Sequence, residues 1–320
     1  MKTIASLFAL ALFCAPAGAY SIYVSNEKGN SVTVIDSATL EVTKTIKTGQ
    51  RPRGITVTKD GKFLLVCASD DDTVEVFDTA THEKLGELPS GPDPELFVLS
   101  PDGSLLYIAN EDDNLVTVVD MAKKSILAEI PVGVEPEGMG ISPDGKFLVN
   151  TSETTNMAHF IDTTSHEIIA NVLVDARPRF AEFKKDGSEV WVTSEIGGTV
   201  SVIDVATKEI KKKIEFAVPG LAKEALQPVG MRITSDGKKA FVALGPANRV
   251  AVINAETYEV EKYLLVGQRV WQLQFSPDEK FIFSTNGVSN DITVTDVEAG
   301  EPIKSIQVGE LPWGVAVSPQ

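Results

Sequence analysis

Read in steps of about 42 residues, the chain sets pairs of chemically active side chains around a repeated proline, and the pairs change from step to step. In order they are Arg51 and Arg53, Asp93 and Glu95, Glu135 and Glu137, Arg177 and Arg179, Gln227 and Val229, Arg269 and Trp271, and Leu311 and Trp313. Carboxylates are hard oxygen donors suited to Ca²⁺ or a lanthanide, whereas guanidinium groups fork onto ligand carboxylates and tryptophans stack on flat rings. Further acids follow in intervening turns: Asp70, Asp71, Asp72, Glu111, Asp112, Asp113, Glu153 and Glu195. The candidate metal ligands are Glu95, Glu111, Asp112, Asp113, Glu137 and Glu153; Arg51, Arg53, Asp93, Glu95, Glu135, Glu137, Arg177, Arg179, Arg269, Trp271 and Trp313 are the candidates for a ligand pocket. Acids doubled on adjacent repeats repel one another, which a bound cation would relieve. Arg53 and Arg179 stand where they could neutralise the same acids, so a ring of internal salt bridges is the competing reading.

Other chemistry has little support. The chain has 3 His and 2 Cys, dispersed along it, which leaves no zinc, copper or haem constellation. No nucleophile elbow, phosphate loop or close Ser/His/Asp set is present, so a non-enzymatic role is expected. His159 replaces a Thr or Ser on an alternating strand and reads as a packed or surface residue, while His82 and His166 read as turn residues.

These side chains must be positioned by a repeat. Val-x-Val-Ile-Asp and its variants end at Asp36, Asp78, Asp120, Asp162, Asp204, Asn254 and Asp296, with spacings of 42, 42, 42, 42, 50 and 42. Gly49, Gly91, Gly133, Gly267 and Gly309 keep the same count, with Asp175 substituting once. Each unit holds four short apolar or alternating runs separated by turn signals, the signature of a β-propeller blade. The expected fold is all-β, a single seven-bladed propeller over residues 20–320. Repeated residues belong to the fold: the Asp that ends the third strand should accept backbone N–H bonds in the next turn, and the Asp-Gly pairs at 60, 102, 144, 186 and 236 should make tight turns with positive φ at Gly.

The two ends are complementary. The chain closes with a first-strand unit, Gly314-Val315-Ala316-Val317, and a second-strand unit, Ser21-Ile22-Tyr23-Val24, follows the leader, so one blade should be stitched from both. Seven repeats of 42 plus the eight-residue insertion predict 302 residues, and Tyr20 to Gln320 supplies 301. The insertion, within Glu215 to Val229, is expected to be one long loop, either a flap over a face or a tolerated addition.

Lys2, the apolar run Ile4 to Cys14 and Ala17-Gly18-Ala19 read as a secretory signal over residues 1–19, cleaved after Ala19, which gives a periplasmic, soluble protein. Without it the chain carries 28 basic residues against 45 acidic, a formal charge of −17 that disfavours nucleic acid and anionic membrane. Cys67 is then the only thiol, so stability must come from the core rather than from a disulfide.

The blocks Tyr23-Val24-Ser25-Asn26, Val32-Thr33-Val34-Ile35-Asp36 and Ser142-Pro143-Asp144-Gly145-Lys146-Phe147 resemble YVTN-type propeller repeats. More narrowly, Gly49-Gln50-Arg51-Pro52-Arg53-Gly54, Ser90 to Leu96, Ala109 to Asn114, Thr151 to Phe160 and Leu311-Pro312-Trp313-Gly314 are similar to the β-propeller family associated with PQQ-dependent catabolism. That resemblance implies a periplasmic setting in bacteria that oxidise alcohols with quinone-dependent dehydrogenases, often beside an ABC transporter, and in methylotrophs a link to lanthanide uptake. It implies no enzymatic activity. Three expectations follow: a Ca²⁺ or lanthanide binder for uptake or delivery, a binder of the quinone itself through Arg53, Arg179 and Trp271, or a platform for a dehydrogenase, a cytochrome or the transporter.

Overall fold

The computed structural model describes residues 18–319; the leader expected at the N-terminus, including Cys14, lies outside them up to residue 17. Twenty-eight strands form seven four-stranded antiparallel sheets. Blade 1 runs Pro52–Val57, Phe63–Ala68, Thr73–Asp78 and Lys84–Pro89, from the channel outward. The innermost strands of blades 2 to 6 are Pro94–Leu99, Pro136–Ile141, Pro178–Phe183, Met231–Ile233 and Val270–Phe275. Blade 7 is the stitched one: Pro312–Val317 pairs with Ser21–Asn26, which continues to Ser31–Asp36 and Glu41–Lys47. The expected closure is therefore present, and it makes the last strand a structural part of the first.

Burial follows the distance from the channel axis. Second strands such as Phe63–Ala68 are buried almost throughout, because both of their faces meet neighbouring blades, whereas fourth strands such as Glu41–Lys47 are exposed except at one apolar position. Innermost strands approach closely: a Cβ at Gly138 would lie 2.9 Å from the backbone of Phe180 on the next blade. Only glycine allows that spacing.

The repeated aspartates act in the fold as expected. Asp36 Oδ1 accepts from Ala38 N–H and Thr39 N–H at 2.9 Å each, and Asp78 and Asp204 do the same in their turns. The Asp-Gly turns have φ of 70 to 74° at Gly61, Gly103, Gly145, Gly187 and Gly237. Accepting from Ser100 and from the N–H and hydroxyl of Ser104 holds the Asp102 carboxyl down to about 2.

The insertion is pinned rather than free. Phe216 and Leu226 are buried in the core shared by blades 4 and 5, a short 3-10 turn spans Lys223–Ala225, and Ala217 N–H donates to the Tyr263 hydroxyl at 2.9 Å. Cys67 is a free, buried thiol whose pKa burial pushes well up. Among the described residues no helix is long and apolar enough to cross a membrane.

Candidate functional site

The chemistry-bearing residues form two stacked rings at one mouth of the channel. The upper ring is the residue just before each innermost strand. Arg51, Asp93, Glu135, Arg177, Arg269 and Leu311 all adopt left-handed backbone, with φ between 49 and 58°. For residues with a Cβ that conformation costs about 1–2 kcal/mol, and the fold offsets it with two hydrogen bonds. Each N–H donates to the side-chain oxygen of a turn residue on the preceding blade, Asn30, Asp72, Asn114, Asn156, Asn248 or Asn290, at 2.8 to 3.1 Å. The carbonyls of Asp93, Glu135, Arg177 and Leu311 accept the N–H groups of Glu111, Glu153, Glu195 and Glu27 at 2.8 to 3.0 Å. This second bond fixes the site: it holds Glu111 beside Asp93 and Glu153 beside Glu135.

The lower ring comprises Arg53, Glu95, Glu137, Arg179, Val229, Trp271 and Trp313, two residues further along each blade. Glu95 and Glu137 are fully buried. Arg53 Nη1 donates to Glu95 Oε2 at 2.6 Å, its Nη2 lies 3.3 Å from Glu27 Oε1, and its guanidinium sits 5.4 Å from the Trp313 ring centre. Arg51 reaches Asp70 at 2.6 Å, Glu95 at 3.3 Å, and Asp93. On the far side Arg179 contacts Glu153, Glu137 at 3.1 Å and Glu195 at 3.7 Å. Arg177 reaches Glu153 at 2.6 Å, and Arg269 reaches Glu195 at 2.8 Å while stacking 4.2 Å from the Trp271 ring centre.

Salt bridges therefore engage every arginine of the mouth, but they do not exhaust the acids. Nine acidic side chains (Glu27, Asp70, Asp93, Glu95, Glu111, Glu135, Glu137, Glu153, Glu195) meet five guanidinium groups, four more acids than cations. The excess gathers around Glu111. Asp93, Glu95 and Glu111 offer carboxylate oxygens within 4.8 Å of one another, and so do Glu111, Glu135 and Glu153. Burial, then the charge of Glu95 and a hydrogen bond to it, pushes the Glu111 carboxyl up to about 8. Burial and Glu95 likewise raise Asp93 to about 6 against the pull of Arg51. Burial would raise Glu95 too, yet Arg53, with help from Arg51 and Arg179, outweighs it and holds Glu95 below its ordinary value. Glu137 goes the other way, well up, because burial together with Glu95 and Glu153 exceeds what Arg179 supplies. Glu95 Oε1 and Glu137 Oε1 are buried and held only by the ion pairs with Arg51 at 3.3 Å and Arg179 at 3.1 Å, without an aligned hydrogen bond, and Glu137 Oε2 is buried without a hydrogen-bond partner.

The expected metal ligands thus divide. Glu95, Glu111 and Glu153 come together and are joined by Asp93 and Glu135, whereas Asp112 and Asp113 are exposed at the tip of their turn and Glu137 faces Arg179. Trp313 is 1% exposed, so it floors the mouth and offers little surface to a ligand. Asp72, counted among the acids of the face, serves as a latch to the Asp93 N–H instead. Glu27 was missed in the sequence, although it sits one 42-residue step from the turn positions later occupied by Ser69, Glu111, Glu153 and Glu195. His159 is a packed residue: Nε2 accepts the Gly133 N–H at 3.0 Å, Nδ1 lies 2.5 Å from Asn171 Oδ1, and burial lowers its pKa.

With this geometry in hand, comparison with known proteins adds the lineage. A model of the YNCE-like beta-propeller family matches residues 17–181, over half of the chain. The chain belongs to the YNCE-like β-propeller family. A model of the choice-of-anchor I domain also matches, over residues 112–282. No curated protein matches in sequence. Among solved structures, Kuenenia stuttgartiensis hydrazine synthase is 24% identical, with a TM-score of 0.80 over 87% of this chain and 92% of that one. A functionally unknown protein from Desulfotomaculum acetoxidans DSM 771 is 16% identical, with a TM-score of 0.78 over 94% and 99%. Dihydro-heme d1 dehydrogenase NirN is 16% identical, with a TM-score of 0.70 over 92% and 74%. At these identities the likeness of this YNCE-like propeller to the three structures is one of fold.

Proposed function

We propose that this YNCE-like propeller is a non-enzymatic, periplasmic binding protein that captures a hard cation, Ca²⁺ or a lanthanide, at the acidic mouth of its channel for uptake or delivery. The observation that carries the reading is Glu111, shared by two carboxylate triads whose oxygens lie within 4.8 Å. Ca²⁺ takes oxygen ligands at about 2.4 Å, so oxygens up to twice that distance apart can touch one ion. A cation would also supply positive charge where acids outnumber guanidinium groups. The leader-like N-terminus supports export, and the resemblance to PQQ-associated propellers supports a role beside alcohol oxidation. Calorimetric titration of the metal-stripped protein with Ca²⁺ and La³⁺ tests the reading: saturable binding that is weakened in Glu111→Gln upholds it, and absence of binding by the unaltered protein rejects it.

A protein partner is the second reading. Ile196, Val288 and Val134 are 59%, 57% and 43% exposed on loops of the same face. A dehydrogenase, cytochrome or transporter component docked there would cover them, and an Ile196→Asp variant that still recovered the same periplasmic partner would count against it. Capture of the quinone by Arg53 and Arg179 has less support, because carboxylates of the protein already engage both.

A further inference from the structure

Six of the seven blades fill their outer clefts with one recurring device, and blade 1 lacks it. Six blades bury an aromatic ring against the blade that follows: Tyr23 in blade 7, Tyr107 in blade 2, Phe160 in blade 3, Trp191 in blade 4, Phe241 in blade 5 and Phe283 in blade 6, each no more than 1% exposed. Five of these stand at one register on the second strand; in blade 3 that register holds Val149, and the ring comes from the facing third-strand position, Phe160. Blade 1 has Leu65 at the first register and Val76 at the second. No ring is supplied at either.

The fourth strand of blade 1 makes no compensation. Where blade 3 carries Ile168 and Ala170, blade 1 carries Lys84 and Gly86. Lys84 turns away to Glu75 and Glu87, at 2.6 and 2.7 Å, and a Cβ built on Gly86 would meet nothing within 4 Å. The result is a cleft of about 460 Å³ between blades 1 and 2, open to solvent, with Phe63, Leu65, Val76, Leu85, Leu88 and Met121 on its apolar wall and Lys59, Asp60 and Asp102 at its mouth. Lys124 stands at its rim.

Blade 3 shows what completes such a cleft. There Lys208 lies 4.3 Å from the ring centre of Phe147 and 5.1 Å from that of Phe160. Phe63 of blade 1 and Lys124 of blade 2 are the counterparts of Phe147 and Lys208, two repeats earlier, so the wall ring is in place, a lysine stands at the rim, and the ring between them is missing. We infer that the cleft between blades 1 and 2 is a binding site for a small aromatic molecule, whose ring takes the place that Phe160 holds in blade 3. The apolar wall of this cleft favours a flat apolar guest, and the Lys124 ammonium folded over a bound ring would add a cation–π contribution. The site is remote from the acidic mouth and does not depend on what binds there.

Titration of the protein with indole, followed by calorimetry and by saturation-transfer NMR, tests the inference. The unaltered protein should bind indole at about one per chain, Lys124→Ala should weaken binding by about threefold, and Val76→Phe, which restores the blade 3 ring, should abolish it while raising the melting temperature. If Val76→Phe does not melt cooperatively, Leu65→Phe fills the same cleft from the other strand and should abolish binding in its place. The inference is overturned by a folded, filled variant that binds indole as well as the parent, by no binding to the parent up to about 5 mM, or by equal affinity for cyclohexanol.

Discussion

Cation binding at the channel mouth should tighten steeply with pH, and the dependence should belong to Glu111. The carboxyl of Glu111 is raised to about 8, so at pH 6 it is almost entirely protonated and a cation must displace that proton before it can use the oxygen. The fraction available rises from about one in a hundred at pH 6 to about one half at pH 8, a factor of about fifty in apparent affinity. Asp93, at about 6, is half protonated at pH 6 and ionised by pH 8, which adds about a factor of two. The expected gain is therefore about a hundredfold in Kd, with about one proton released per cation at pH 7, measurable by calorimetry in buffers of different ionisation enthalpy. Glu111→Gln should bind more weakly and retain only the twofold term. The same raised pKa sets the sign for the cation-free protein. The folded state holds the Glu111 proton more tightly than the unfolded chain does, so stability should fall as pH rises from the ordinary glutamate range through about 8. Affinity independent of pH, or an unaltered slope in Glu111→Gln, would refute the reasoning.

Deletion of Trp313 to Gln320 removes the innermost strand of blade 7 and should abolish cooperative melting, read by circular dichroism; a truncated chain that melted like the parent would deny closure a structural role. Asn114→Ala removes the acceptor for the Glu135 N–H and should cost about 1 kcal/mol, or roughly 2 °C in Tm. Arg179→Met leaves Glu137, Glu153 and Glu195 facing one another in a buried site and should cost about 3–5 kcal/mol in denaturant unfolding at neutral pH.

What the sequence discloses is governed by register. A period of 42 residues assigns every side chain to a blade, a strand and a face, and the eight-residue excess before Val229 marks the one long loop. The same period brings Asp93 and Glu111 to one mouth, because a rigid repeat admits few placements. It does not tell where a long side chain goes from there. Asp112 and Asp113 share a turn with Glu111, yet only Glu111 donates its N–H to Asp93 and stays in the cluster. The latch made by Asn30, Asp72, Asn114, Asn156, Asn248 and Asn290 is equally regular in sequence, but small polar residues in turns look generic until their partner, the N–H of a left-handed residue 21 positions later, is seen. Charge balance escapes the sequence for a related reason: Arg53 and Arg179 each reach several acids on different blades, so the excess emerges only when distances are known.

The most direct test of the cation reading is an anomalous difference map from crystals soaked in a lanthanide. A peak is expected at the carboxyl of Glu111, within bonding distance of its oxygens and of those of Asp93 and Glu95 or of Glu135 and Glu153. Peaks confined to exposed acids such as Asp112 and Asp113, with none at Glu111, would contradict it.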